Sequence, residues 1–178
     1  MARRRIFTFL FLLLTAVAFV GFVALGVWQV KRLAWKEDLI ARVDARVHAD
    51  AMMAPSQPDW PSVSEDSHEY LHVSVSGQYR PEAVALVSAA TQEGQGYWVM
   101  APLQRADGSW VYVNQGFVPQ EKRGAAQSGG YTPAEPVTVT GLLRLSHPGG
   151  GVFRDNGPAQ NRWYSREGRG MAGQQGLA

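Results

Sequence analysis

From Ile6 to Trp28 no position carries a charge, and Thr8 and Thr15 are the hydroxyls in the run. A helix of about 23 residues rises roughly 34 Å, enough to cross a hydrocarbon core of about 30 Å. Trp28 stands at the edge of the run, where an indole favours the membrane–water interface. Ala16-Val17-Ala18 has the look of a cleavage site, but the apolar run continues past it to Trp28. A cleaved signal peptide has a core of only about 7–15 residues, so the pattern predicts an uncleaved transmembrane helix over 6–28. Leu33, Leu39, Ile40, Val43 and Val47 then recur at helical spacing, and no Gly or Pro interrupts Val27 to Ala54. The spacing predicts that the helix runs on to about His48, within an amphipathic stem over 29–53.

Beyond the stem the pattern breaks. Pro55, Pro58 and Pro61 fall among Ser56, Ser62 and Ser64, which reads as a linker over 54–68. From Tyr70 the period becomes two: Leu71, Val73 and Val75 alternate with His72, Ser74 and Ser76 up to Gly77. Further strands are expected at Val84–Ser88, Tyr97–Leu103, Trp110–Val113 and Val137–Leu145, the last with a bulge at Gly141. Asp107-Gly108 predicts a hairpin with a type I′ turn. Gly124–Gly130 and Pro148–Gly151 read as loops, the second leading to Phe153. The fold class is therefore membrane-anchored α+β: one N-terminal transmembrane helix continuing into a stem, then a β-rich antiparallel sheet or small open barrel over 69–178.

Composition narrows the function. The chain has 178 residues, leaving about 145 outside the membrane, enough for one domain with a real core. With no cysteine there is no disulfide framework and no thiol nucleophile. The net charge of +2 is small, and the basic residues crowd the start: Arg3, Arg4 and Arg5 in a basic stretch over 1–5, then Lys31, Arg32, Lys36, Arg42 and Arg46. Bracketing an apolar run, they suit a lipid bilayer, not nucleic acid. Positive residues on both sides leave the orientation open.

No catalytic constellation is visible. His48, His68, His72 and His147 are scattered; His68 and His72 stand four apart, but on a predicted linker-to-strand stretch, where that spacing does not align two ligands. Glu65, Asp66 and Glu69 read as a solvated charge run. Neither Gly94-Gln95-Gly96 nor Gly149–Gly151 sits between a strand and a helix as a phosphate loop would. The residues point to a non-enzyme without a metal. Trp28 and Trp35 lie on one side of the stem with Gln29, Arg32 and Lys36 among them. Two readings are open: interfacial anchoring with snorkelling cations, or a recognition surface just above the membrane.

The run Leu25-Gly26-Val27-Trp28-Gln29, with Arg32 and Trp35-Lys36 following, resembles the N-terminal signature of the Surf-one (Surfeit-locus) family of cytochrome c oxidase assembly factors. Val113-Asn114-Gln115-Gly116-Phe117-Val118-Pro119 is similar to a second block of that family. Asn156-Gly157-Pro158, Asn161-Arg162-Trp163-Tyr164 and Met171-Ala172 are similar to a third. Gly77-Gln78-Tyr79, Gly94–Trp98, Pro102-Leu103 and Gly141–Arg144 fall between them in the family's order. Gln115 and Phe117 depart from the Arg and Trp usual there. The resemblance implies a functional motif of Gly26, Trp28, Gln29, Arg32, Trp35, Lys36, Asn114, Gly116, Asn161, Trp163 and Tyr164. It implies a bacterial inner-membrane protein with a cytoplasmic N-terminus and a periplasmic β-domain. It implies a non-catalytic role in oxidase assembly around haem a insertion, with oxidase subunit I or haem a synthase as partner. A second transmembrane helix, carrying the family's haem-ligating His, is missing here. The expectation is thus a C-terminally truncated chain in which haem a belongs to the full-length protein and not to this chain alone. The alternative is a bitopic envelope protein whose β-domain docks other membrane proteins without reference to haem.

Overall fold

The computed structural model describes residues 2–146, 149, 155–158 and 161–177. His147, Phe153 and the predicted loop at Pro148–Gly151, apart from Gly149, lie outside these residues. The chain divides into two compact units, residues 1–48 and 49–178.

The first unit is one helix, α1 (Ala2–Val47), of 46 residues. With no Gly or Pro after Gly26 to end it, it runs on well past the apolar segment. Its N-terminal part is long and apolar enough to cross a membrane. Within that part the Thr8 and Thr15 hydroxyls donate to the carbonyls of Arg4 and Phe11, one turn back. A hydroxyl bonded to its own helix needs no water, so neither threonine opposes insertion.

The second unit is a mixed, open six-stranded sheet. Its strands are β1 (Met52–Met53), β2 (His72–Tyr79), β3 (Ala85–Thr91), β4 (Gly94–Gln104), β5 (Trp110–Pro119) and β6 (Val137–Leu142). Short helices are α2 (Glu65–His68), α3 (Arg123–Gln127) and α4 (Gly168–Gln174). β4 is central, pairing antiparallel with β3, β5 and the end of β2. β2 pairs antiparallel with β6 along Gly77–His72 and parallel with β1. The parallel β1 makes the sheet mixed where a purely antiparallel one was expected.

Alternation along β3 and β4 places apolar residues on both faces, so both faces are covered. Leu86, Val99, Ala101 and Leu103 join Tyr79, Val118 and Ala126 in one cluster. Ala85, Val87 and Met100 face the other way, against Trp163 and Met171.

Several local expectations are corrected. Gly77 does not end its strand: a Cβ there would collide with the Gln104 carbonyl, so glycine permits the close approach of β2 to β4. Gly141 is no bulge, because it pairs in step with Val73 in an unbroken register. The Asp107-Gly108 hairpin is not type I′. The Gly108 N–H bonds the Arg105 carbonyl, and Gly108 alone of the pair has positive φ, at 83°. A turn closed by a left-handed glycine gives the three-residue loop instead. Gly124–Gly130 contains α3 rather than a plain loop, with Ala126 packed in the core. The 54–68 segment is also ordered: the Arg105 guanidinium donates to the Pro55 carbonyl (2.7 Å) and holds it to the β4–β5 hairpin.

Candidate functional site

The sequence-derived motif residues fall into three groups. The first is on α1. Residues three and four apart share a helix face, and the Arg32 guanidinium lies 5.2 Å from the centre of the Trp28 ring. Trp28 and Trp35 remain half exposed, at 50% and 60%. Gln29 and Lys36 are exposed beside them, and Gly26 leaves open space above the backbone. The group presents two indoles and an exposed cation on a helix with nothing of its own unit packed against it.

The second group is a bulge in β5. Met100 pairs with Asn114 and Trp98 with Phe117, so Val99 faces both Gln115 and Gly116. The extra residue reverses the alternation of the strand. Val111 and Val113 point into the first cluster, and so does Val118, which regular alternation would turn away. Phe117 moves to the opposite face and meets Trp98 edge-on, with ring centres 5.7 Å apart. Gly116 has φ of 111°, and its N–H donates to Asn114 Oδ1 at 3.0 Å. Gly116→Val forces a β-branched side chain into this backbone, and a loss of about 1–3 kcal/mol is expected. Asn114→Ala removes one exposed hydrogen bond and should cost about 1 kcal/mol or less. Thermal melts of the two variants check the order, and equal losses would remove the bulge argument.

The third group lies in the C-terminal segment. The Trp163 side chain is fully buried among Val87, Met100 and Met171. Its indole donates to Asn161 Oδ1 at 2.8 Å, and its carbonyl accepts from the Ser88 N–H at 2.8 Å. Asn161 has φ of 48°, a conformation that asparagine tolerates better than most residues. Asn156 accepts from the Tyr164 and Ser165 N–H groups and donates to Ser165 and Glu167. These contacts bring Asn161 and Tyr164 to a groove of about 240 Å³ beside β3 and β4, lined also by Gln95, Tyr97, Arg123 and Arg162. Tyr112, packed against the Trp163 cluster, has a buried hydroxyl that finds no partner among the described residues. Burial pushes its pKa up to about 12.

The order of these three groups along the chain has a counterpart elsewhere. The model of the SURF1 family matches residues 16–178. The chain belongs to the SURF1 family. The mouse protein named Surfeit locus protein 1 is 32% identical over 178 residues, covering 90% of this chain and 55% of the mouse protein. Its human counterpart is 30% identical over 168 residues, covering 83% of this chain and 54% of the human protein. A Saccharomyces cerevisiae relative named cytochrome oxidase assembly protein SHY1 is 32% identical over 100 residues, covering 55% of this chain and 25% of the yeast protein. The chain spans about half the length of the vertebrate relatives it matches.

For this SURF1-family chain the two departures at the bulge have internal uses. Gln115 accepts from the Thr132 hydroxyl at 2.8 Å and bonds the Tyr79 side chain, tempering the rise that burial imposes on the Tyr79 pKa. Phe117 covers Gly96, where any Cβ would strike its ring.

Sequence reasoning missed one cluster. Glu69 is not part of a solvated run with Glu65 and Asp66: its side chain is 7% exposed and pairs with Arg144 at 2.6 Å. Its second oxygen accepts the Leu145 N–H. Arg144 also lies 4.4 Å from the centre of the Tyr70 ring, and Tyr70 has φ of 64°. The available signal was an arginine closing the Gly141–Arg144 motif with no carboxylate in its own strand. Of the histidines, His72 bonds the Ala49 carbonyl, 23 residues back, and His68 the hydroxyl of its neighbour Ser67. Among the described residues no three His, Cys, Asp or Glu side chains gather in a way that could hold a metal ion.

Proposed function

We propose that this chain is a non-catalytic, membrane-anchored assembly factor for cytochrome c oxidase, acting at the insertion of haem a into subunit I. Its place is the bacterial inner membrane, with the N-terminus cytoplasmic and the β-domain periplasmic. Subunit I or haem a synthase is the partner. The observation that carries the reading is membership of the SURF1 family across residues 16–178, supported by the yeast relative's name as a cytochrome oxidase assembly protein. The helix that can cross a membrane supports the anchoring.

Haem a itself does not fit the described residues. A haem needs an axial ligand inside a dry pocket. His48 is exposed, and its Nδ1 faces Asp44, while His68 and His72 spend a ring nitrogen on the Ser67 hydroxyl and the Ala49 carbonyl. The groove beside β3 and β4 is polar and far smaller than a haem.

What this chain offers is the Trp28–Arg32–Trp35 face. An indole pair at the membrane interface with a cation held over one ring suits lateral contact with another membrane protein. In a bacterium lacking its own family member, Arg32→Glu should lower assembled oxidase several-fold at unchanged levels of membrane-bound variant. Haem a absorbance of the membranes and an immunoblot of the chain measure the two quantities. A matching fall in both would reduce Arg32 to an anchoring residue.

A further inference from the structure

We infer that the groove between β3, β4 and the C-terminal segment is a seat for a carboxylate of a partner polypeptide. The inference goes beyond the oxidase reading and does not depend on it. Segments far apart in sequence meet here: the Gly94–Trp98 block, the start of α3, and the Asn161–Tyr164 block. Each wall is held by the core. Gly96 lies buried under Phe117 and the Val118 carbonyl, leaving no room for a side chain. The Asn161 turn is closed by bonds from the Asn161 and Arg162 N–H groups to the Pro158 and Gly157 carbonyls, and it is anchored by the buried Trp163.

The lining is rich in donors. The Arg123 guanidinium lies over the Tyr97 ring, 5.3 Å from its centre. A guanidinium held over an aromatic face can still present its N–H fork to a carboxylate in bidentate contact. An indole N–H can only donate, so the bond from Trp163 fixes the Asn161 amide with its oxygen toward Trp163 and its NH₂ available as a donor. Gln95 adds a further polar group. Among the described lining residues there is no Asp or Glu. Arg123 therefore meets no carboxylate within the described lining of the groove.

Size decides between a free ligand and a polypeptide. Small-molecule pockets run from about 300 to 1,000 Å³ and are mostly apolar. At about 240 Å³ with polar walls, this groove matches one acidic side chain or chain terminus, with Arg123 as the central contact.

The test uses the full chain in uncharged detergent and follows the NMR signals of Tyr97 and its neighbours. Three capped probes are titrated: acetyl-Gly-Glu-Gly-amide, acetyl-Gly-Gln-Gly-amide, and acetyl-Gly-Gln-Gly with a free carboxylate. Saturable shifts with a carboxylate probe and not with the neutral one are expected. Whichever of the two carboxylate probes binds tells a side chain from a chain terminus. Arg123→Gln should weaken binding roughly tenfold or more, and Arg123→Lys by less. Arg123 is exposed at the start of α3, so neither variant should move the melting temperature. Equal shifts with the neutral probe, or undiminished binding in Arg123→Gln, would overturn the proposal. So would tighter binding of inorganic phosphate or anionic vesicles through the same residues.

Discussion

Replacing Trp163 by alanine is expected to lower the melting temperature of the sheet unit by about 10–20 °C, an effect of about 3–5 kcal/mol. The indole has no exposure to solvent and is the largest fully buried side chain among the described residues. Three losses coincide at this position. Apolar contact with Val87, Met100 and Met171 disappears, a cavity opens between the sheet and α4, and the left-handed Asn161 loses the indole that holds its side chain. A single domain has only about 5–15 kcal/mol in hand, so a substantial fraction of the molecules would open at physiological temperature. The near-ultraviolet circular dichroism of the full chain in detergent reads the loss of fixed aromatic packing. The far-ultraviolet helical signal should persist, because α1 forms a compact unit of its own. Trp163→Phe should fall between, keeping ring contact but leaving Asn161 Oδ1 without its donor. A shift below a few degrees for the alanine variant would show that the C-terminal segment is not pinned through this residue.

The sequence was legible where side-chain periodicity is strict and local. Uninterrupted apolar and then amphipathic helical spacing accounts for α1 to Val47. Period-two alternation accounts for β2, and apolar runs between turn residues mark β3 and β4. It was not legible where the structure answers to distant backbone. Gly77 and Gly141 look alike in sequence, each a glycine in a strand. One sits against the Gln104 carbonyl and the other pairs plainly with Val73, a difference that only the packing of β2 creates. The bulge at Gln115-Gly116 shows as a phase change, with Val111 and Val113 at odd positions and Val118 at an even one, yet it takes the β4 register to say that all three face one core. The proline-rich 54–68 segment reads as a linker because its bonds are to residues as remote as Arg105 and Ser74. The motif residues are divided in a way the sequence does not show: six lie on α1, and five belong to the sheet unit.

Glu69 illustrates the remaining gap and gives the second large expected effect. A carboxylate beside Glu65 and Asp66 looks solvated, yet it is buried because Arg144, far along the chain, comes to meet it. Taking an ion out of water costs several kcal/mol, recovered only while the partner and the hydrogen bonds remain. Arg144→Met keeps much of the length of the side chain and removes the charge, while the bond from the Leu145 N–H to the carboxylate remains. A severed buried pair typically costs about 3–5 kcal/mol. Here the guanidinium is itself 35% exposed, so water can re-enter and the loss should be nearer 2–3 kcal/mol, again relative to that same penalty. The arginine also leaves the Tyr70 ring, whose residue holds a left-handed backbone, so the turn into β2 loosens together with the end of β6. The decisive comparison is the double variant Glu69→Leu with Arg144→Met, which removes the stranded charge along with its partner. It should be more stable than Arg144→Met alone, because an apolar replacement of a buried pair approaches neutrality while half a pair does not. Urea unfolding of the three chains in detergent, followed by tryptophan fluorescence, measures the coupling. A double variant no better than the single would mean that Glu69 is stabilised by its backbone donors and that Arg144 serves only to cover Tyr70.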